Sequence, residues 1–376
     1  MIYLDHAATT PVNEQALRAA WPLLTQNFGN PNSVHEVGKA ASEAFEAARQ
    51  SVAAWLGCRA SEVIFTSGGT ESNNLAIKGI ALANPRGRHI ISARTEHESV
   101  LQPIDYLVRH HGFEVSWLAL EADGSVTVES LLSALRSDTT LVTLMLSNNE
   151  IGTIHDIQGL AATAKAHGVR FHTDAVQGAG WLDCRVTELG VQALSLSGHK
   201  FGAPKGVGVL YLSDRIAPEP VLHGGGQESE RRSGTQNVAW AVTFAEALNQ
   251  LPELAESKNT ATLRDGFIAR ILSEIPSARL TGAIDAKRHP AHASFVFPGV
   301  NGETLLLELE HRGVICSSGS ACAAGSTEPS HVLTALGMDA DLAQSAVRFS
   351  FSHDTTATDL DTAAQLLVQA WKGLTQ

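Results

Sequence analysis

Residues 141–177 contain Leu141-Val-Thr-Leu-Met-Leu146, Ser147-Asn-Asn-Glu150, Ile157-Gln-Gly-Leu-Ala-Ala-Thr-Ala-Lys-Ala166, Val169-Arg-Phe-His-Thr173 and Asp174-Ala-Val-Gln177. A short apolar run, a polar turn, a helical pattern and a second apolar run make a strand–helix–strand unit. Two parallel strands need such a crossover. Near-continuous apolar strands are expected where helices cover both faces of the sheet. The same alternation extends to both sides. Further candidate strands are Glu62–Thr66, His89–Ala93, Glu114–Leu118, Ala193–Leu196 and Val207–Leu212. Helical patterns lie between them at Glu71–Leu82, Ser99–Arg109 and Val128–Leu135. This predicts a doubly wound α/β unit around a mostly parallel seven-stranded sheet. Val207–Leu212 follows Ser197–Lys200 too closely for a helical crossover, so that strand is expected to run antiparallel.

The texture changes after Asn237. A helical pattern over Ala239–Ile275, broken near Pro252, leads to candidate strands Ala293–Phe297, Gly313–Cys316 and Ala346–Phe351. Helical patterns Gly302–Glu310, Ser330–Leu336 and Thr358–Trp371 accompany them. A second, smaller α+β unit is expected, as the length of 376 residues suggests. The expected division is 15–245 for the large unit and 1–14 with 246–376 for the small one.

A net charge of -12 without any Lys/Arg run argues against nucleic-acid binding and against anionic membranes. The start, Met1-Ile-Tyr-Leu-Asp-His6, lacks the basic segment and apolar core of a signal peptide. No apolar run is long enough to span a bilayer. Cys58, Cys184, Cys316 and Cys322 are too few for a disulfide scaffold and fit a reducing cytoplasm. With neither CxxC nor HExxH present, no metal site is expected.

In open α/β sheets, ligands bind beyond the carboxyl ends of the strands. Ser67-Gly-Gly-Thr-Glu-Ser72, Thr95-Glu-His97, Ser147-Asn-Asn-Glu150, Asp174-Ala-Val-Gln177 and Ser197-Gly-His-Lys200 stand at those ends. A Gly-rich turn opening a helix, with Gly69 and Thr70, is a phosphate cup. Taken singly, each of the others reads as a cap or a turn. Together they offer a phosphate cup, an aromatic His, amides, a carboxylate and an amine at one sheet edge. A ligand with a phosphate, a flat ring, a phenolic oxygen, a pyridine nitrogen and an aldehyde needs that set; pyridoxal phosphate is such a ligand.

One further stretch stands out, Cys316-Ser-Ser-Gly-Ser-Ala-Cys-Ala-Ala-Gly-Ser326. Between its ends every residue is Gly, Ala or Ser except Cys322, so it has almost nothing to bury. Cys322 reads either as a thiol on a tether or as a small apolar filler.

The ordered series Ser-Gly-Gly-Thr-Glu-Ser, Thr-Glu-His, Asn-Asn-Glu, Asp-Ala-Val-Gln, Ser-Gly-His-Lys, His-Gly-Gly-Gly, Arg-Ser-Gly-Thr and Ser-Ser-Gly-Ser-Ala-Cys resembles the cysteine desulfurase family, within it the NifS/IscS-like branch. The resemblance runs from Tyr3-Leu-Asp-His-Ala-Ala-Thr-Thr-Pro11 to Val347-Arg-Phe-Ser350. It implies a fold-type I pyridoxal-phosphate enzyme of the class V aminotransferase superfamily, acting as a cytoplasmic homodimer. L-cysteine would become L-alanine, with the sulfur held on Cys322 as a persulfide and passed to an acceptor protein. Iron–sulfur cluster assembly or another thiolation pathway would receive it. Selenocysteine lyase is the neighbouring alternative.

By the same resemblance, Lys200 carries the cofactor, with Lys205 as a rival on the residues alone. Asp174 pairs with the ring nitrogen. His97 stacks on the ring and shuttles protons, and it is the first candidate to accept the Cys322 proton. Asn149 and Gln177 bond ring substituents, with Asn148 as an alternative to Asn149. Gly69, Thr70, Ser197 and His199 hold the phosphate, with Thr235 reaching in from the other subunit. Arg348 clamps the substrate carboxylate. Cys316 is structural.

Overall fold

The structure, a computed structural model, describes residues 1–83, 86–319 and 328–375. Among these residues the strands are β1 (Ile2–Tyr3), β2 (Val63–Thr66), β3 (His89–Ser92), β4 (Glu114–Trp117), β5 (Thr139–Thr143), β6 (Arg170–Asp174) and β7 (Ala193–Ser197). They continue with β8 (Gly208–Leu212), β9 (Arg279–Leu280), β10 (His292–Val296), β11 (Val314–Ile315), β12 (Ser317–Ser318) and β13 (Ala346–Ser350).

A seven-stranded sheet runs in the order β2-β8-β7-β6-β5-β3-β4. Its pairings are parallel except for the two made by β8, which runs antiparallel to both β7 and β2. The reversal follows from the short link between β7 and β8, as the spacing predicted. The strand expected at Leu141–Leu146 begins two residues earlier, and its regular ladder stops at Thr143. Its backbone still bonds β6 beyond that point, Leu144 N–H to His172 O and Leu146 N–H to Asp174 O. This carries Ser147 and Asn149 out to the sheet edge where Asp174 ends β6.

Alternate residues of the strands bury on opposite faces. Val63, Phe65, Ile91, Val142, Phe171, Leu194 and Val209 join the core on one face, with Phe45, Val52, Leu160 and Phe244 from covering helices. Ile64, Ile90, Leu141, Ala193 and Leu210 join the other, with Leu75, Ile77, Ile104 and Leu107. Two helices outside the predicted alternation, Glu14–Thr25 and Glu36–Leu56, precede the sheet. The second is stopped by Gly57 in the left-handed conformation at φ 69°, where glycine carries no Cβ penalty.

A four-stranded sheet, β12-β13-β10-β9, holds its own core with Phe267, Phe295, Phe349 and Leu367. The helical pattern expected over Ala239–Ile275 is two helices, Val238–Asn249 and Ser257–Glu274. Pro252 lies between them and cannot continue a helix. The N-terminal strand β1 pairs with β11. Beyond it the chain crosses to the large sheet, with Ser350 N–H donating to Leu4 O and Thr10 N–H to His199 O. This crossing lays Ala7 and Ala8 beside Lys200.

Candidate active site

At the carboxyl edge of the large sheet lies a cavity of about 300 Å³. Its lining includes Gly69, Thr70, His97, Asn149, Asp174, Gln177, Ser197, His199, Lys200 and Arg348, ten of the residues expected from the sequence. They come from strand ends, helix starts and β13, brought together because β2, β5, β6 and β7 all finish at one edge.

Gly69 and Thr70 open the helix Gly69–Ala83. The first N–H groups of a helix have no partner within it and carry the positive end of its dipole. A Cβ on Gly69 would stand 2.8 Å from Val176 Cγ2 and 3.3 Å from Ser197 Cβ. Only glycine lets this helix start sit so close to the strand ends. Ser197 ends β7, and His199 Nδ1 lies 3.2 Å from Thr9 Oγ1. Burial first, then Lys200 and Lys205, lower the His199 pKa to about 4, so its imidazole is neutral at neutral pH.

Asp174 is 5% exposed. Its Oδ2 accepts a 2.6 Å bond from Asn73 Nδ2, and its Oδ1 accepts one from Val176 N–H. Lys200 Nζ donates to the carbonyl oxygens of Ala7 and Ala8. Its rival Lys205 is exposed and not part of the lining. The two asparagines separate as clearly. Asn148 is buried and spent on the turn: its Oδ1 accepts from Glu150 and Ile151 N–H, and its Nδ2 donates to Thr95 O. Asn149 lines the cavity.

Arg348, on β13, is 1% exposed. Nη1 donates to Asn149 O and Nη2 to Asp5 Oδ1, each at 2.8 Å, while Nε has no partner among the described residues. Gln177 Nε2 donates to Ala7 O, and the Gln177 backbone carbonyl accepts from His289 Nε2.

Two expected residues stand apart. Thr235 is exposed and lines a different hollow with Ser67, Gly206 and Arg232. Cys322 lies outside the described residues. Of the cysteines described, Cys316 and Cys184 have thiols pushed upward by burial, and Cys58 is pushed up to about 12. All three are held as thiols, which are not nucleophiles. Cys316 packs against the core of the smaller sheet, in keeping with its structural reading.

Asn73, Ser99, Met145 and Ser147 also line the cavity and Asp5 bonds Arg348, roles that the strand-end motifs did not assign. Asn73 carried a usable signal: it stands four residues after Gly69 and shares its helix face. Buried carboxyls also back the site. Burial, with Asp174 nearby, raises Glu96 well above the usual carboxylate range. Burial also raises Glu150, whose Oε2 accepts from Ser330 Oγ.

A mostly parallel sheet with an amine, a buried carboxylate, an aromatic His and a helix start at its edge defines a class of group-transfer proteins. The comparisons place the chain within it. The class-V aminotransferase family matches residues 2–362, and the chain belongs to that family and, inside it, to the cysteine desulfurases. It is 44% identical over 373 residues to the cysteine desulfurase IscS of Dictyoglomus turgidum, covering 97% of this chain and 93% of that protein. A solved NifS-like protein superposes with a TM-score of 0.92 at 34% identity, covering 99% of this chain and all of that one. SspA, solved in complex with cysteine, superposes at 0.83 with 34% identity, covering 93% of this chain and 99% of its own.

Proposed function

We propose that this chain is a pyridoxal-phosphate-dependent cysteine desulfurase, converting L-cysteine to L-alanine and holding the sulfur on Cys322 as a persulfide. One observation carries the reading: Lys200, Asp174, His97 and Arg348 wall a single cavity that opens on the start of the helix Gly69–Ala83. The residues fit the cofactor. Gly69, Thr70, Ser197 and His199 would take its phosphate, Asp174 its ring nitrogen and Lys200 its aldehyde. Asn149 and Gln177 would bond its ring substituents. The volume suits a small, largely enclosed ligand.

When bound, pyridoxal phosphate supplies an electron sink for a carbanion at the substrate Cα. The chain supplies the rest. The Lys200 amine, once free, takes the Cα proton. Arg348 holds the substrate carboxylate through two parallel N–H bonds. Asp174 would face the ring nitrogen, its carboxyl group oriented by the Asn73 amide and the Val176 N–H, which both donate to it. The Cys322 thiolate attacks the substrate sulfur. An S–S bond forms as the C–S bond breaks, and the electron pair of that bond stays with the carbon that becomes the alanine methyl group.

The units expected at 15–245 and at 1–14 with 246–376 would share this work, the first holding the cofactor and the second carrying Arg348 and Cys322. A second copy of the chain completes the enzyme in this reading. Thr235 is not part of its own chain's cavity lining, and Trp21, Phe28 and Val34 are 64%, 72% and 102% exposed. Apolar side chains grouped in one segment favour a protein cover. The sulfur acceptor is a protein in a reducing cytoplasm, since a net charge of -12 disfavours gripping nucleic acid. No helix among the described residues is long and apolar enough to cross a membrane.

The deciding experiment is Cys322→Ala. The cofactor absorbance band should remain while persulfide formation and alanine release from cysteine are lost. Undiminished alanine release in that variant would overturn the assignment.

A further inference from the structure

His97 stands at the start of the helix Glu98–His111, and its Nδ1 accepts from the Ser99 backbone N–H at 3.0 Å. A backbone N–H can only donate, so Nδ1 presents its lone pair. Ser99 Oγ also lies 2.7 Å from Nδ1. Its direction of bonding is set from the other side. Asn73 Nδ2 stands 2.8 Å from Ser99 Oγ and 2.6 Å from Asp174 Oδ2. A carboxylate accepts only, so the Asn73 amide nitrogen faces it and gives its second hydrogen to Ser99 Oγ. Ser99 must then turn its own hydrogen onto His97 Nδ1. Asn73 is fully buried and Ser99 is 7% exposed, so water does not compete for these bonds. The line Asp174–Asn73–Ser99–His97 leaves Nδ1 no room for a proton. The ring proton sits on Nε2, the atom on the far side of the imidazole from the helix start.

We propose that Ser99 and Asn73 are positioning residues that hold His97 as a neutral imidazole protonated at Nε2. His97 then serves the cavity as a hydrogen-bond donor, not as the base that takes the proton of Cys322. Protonating Nδ1 would set an N–H against the Ser99 N–H and break the helix cap. An Nε2 that already bears a proton accepts none. The same amide that orients Asp174 thus sets the chemistry of His97. The functional half of this inference rests on the desulfurase reading; the tautomer does not.

The test uses the full chain labelled with ¹⁵N-histidine, with and without pyridoxal phosphate. His97 signals are assigned by their loss in His97→Gln. The expected pattern is a bare Nδ1 and a protonated Nε2 in both forms. An imidazolium, or a proton on Nδ1, overturns the proposal. In Ser99→Ala the pattern should become mixed, since one of two donors is gone; a purely structural Ser99 would lower the melting temperature and leave the nitrogens unchanged. Single-turnover persulfide formation is then compared in His97→Gln, which keeps a donor but no base, and His97→Phe, which keeps neither. A donor role predicts His97→Gln at least about tenfold faster, roughly one hydrogen bond. Equal loss in both overturns it. If the loaded protein forms no persulfide at all, the desulfurase reading fails, while the nitrogen pattern of the unloaded protein still decides the tautomer.

Discussion

Replacing Arg348 by Lys isolates what a planar, forked cation contributes to substrate binding. The guanidinium has five N–H groups. Two are spent internally, on Asn149 O and Asp5 Oδ1. The remainder suffice for the two parallel bonds that a substrate carboxylate can accept. Lysine keeps the charge but offers a point donor, so one of the two charge-assisted bonds is lost. Such a bond contributes about 1.5–3 kcal/mol, and about 1.4 kcal/mol is tenfold, so kcat/KM should fall roughly 10- to 150-fold. The carboxylate takes no part in bond breaking and is held alike before and in the transition state. The loss should therefore fall on KM and spare kcat. The assay is alanine release from L-cysteine, run beside desulfuration of cysteamine, which has no carboxylate. Wild-type protein should favour cysteine strongly, and Arg348→Lys should narrow that preference by the same factor. A variant that discriminates against cysteamine as well as wild type does would refute the role of Arg348.

Glu228 lies in the segment that carries Thr235, at φ 51°, and its buried carboxylate takes both Nη atoms of Arg49 at 2.7 and 2.8 Å and the Phe65 N–H. Glu228→Ala leaves the buried Arg49 with the half-exposed Glu46 as its remaining carboxylate partner and should cost about 1.5–3 kcal/mol in urea unfolding; a loss under about 1 kcal/mol would show the pair does not hold this segment. Stability should also fall on acidification. Burial lowers His155 and His289 from 6.5 to about 4 and His172 to about 3. The unfolded chain therefore binds more protons below pH 6.5, and the stability these groups contribute above that pH is lost as pH falls towards 4. Urea midpoints that stay flat across this window would refute the burial argument. His155→Leu, which removes an imidazole with neither nitrogen bonded among the described residues, should make the slope shallower by about one proton. Glu96 and Glu150 act in the opposite sense: raised in the fold, they remove stability as pH rises through their folded values, so Glu96→Gln should gain most at high pH.

The strand–helix alternation, the reversed strand β8 and the strand-end residues were legible in the sequence because each depends on local spacing. Apolar runs bury where two helix layers cover them, and a short link cannot hold a crossover. The family was legible too, through motifs that keep their order along the chain. What spacing could not decide was direction. Asn148 and Asn149 are adjacent and chemically identical. The turn takes one side chain for its own N–H groups, and the other is left to the cavity. Lys200 and Lys205 are separated in the same way by the crossing of Ala7 and Ala8, which depends on β1 pairing with β11 more than 300 residues away. The Asp5–Arg348 bond and the line from Asp174 through Asn73 and Ser99 to His97 join elements distant in sequence. Residue types chose the chemistry; which hydrogen points where was settled only when the tertiary fold removed water and set donors and acceptors from distant segments against one another.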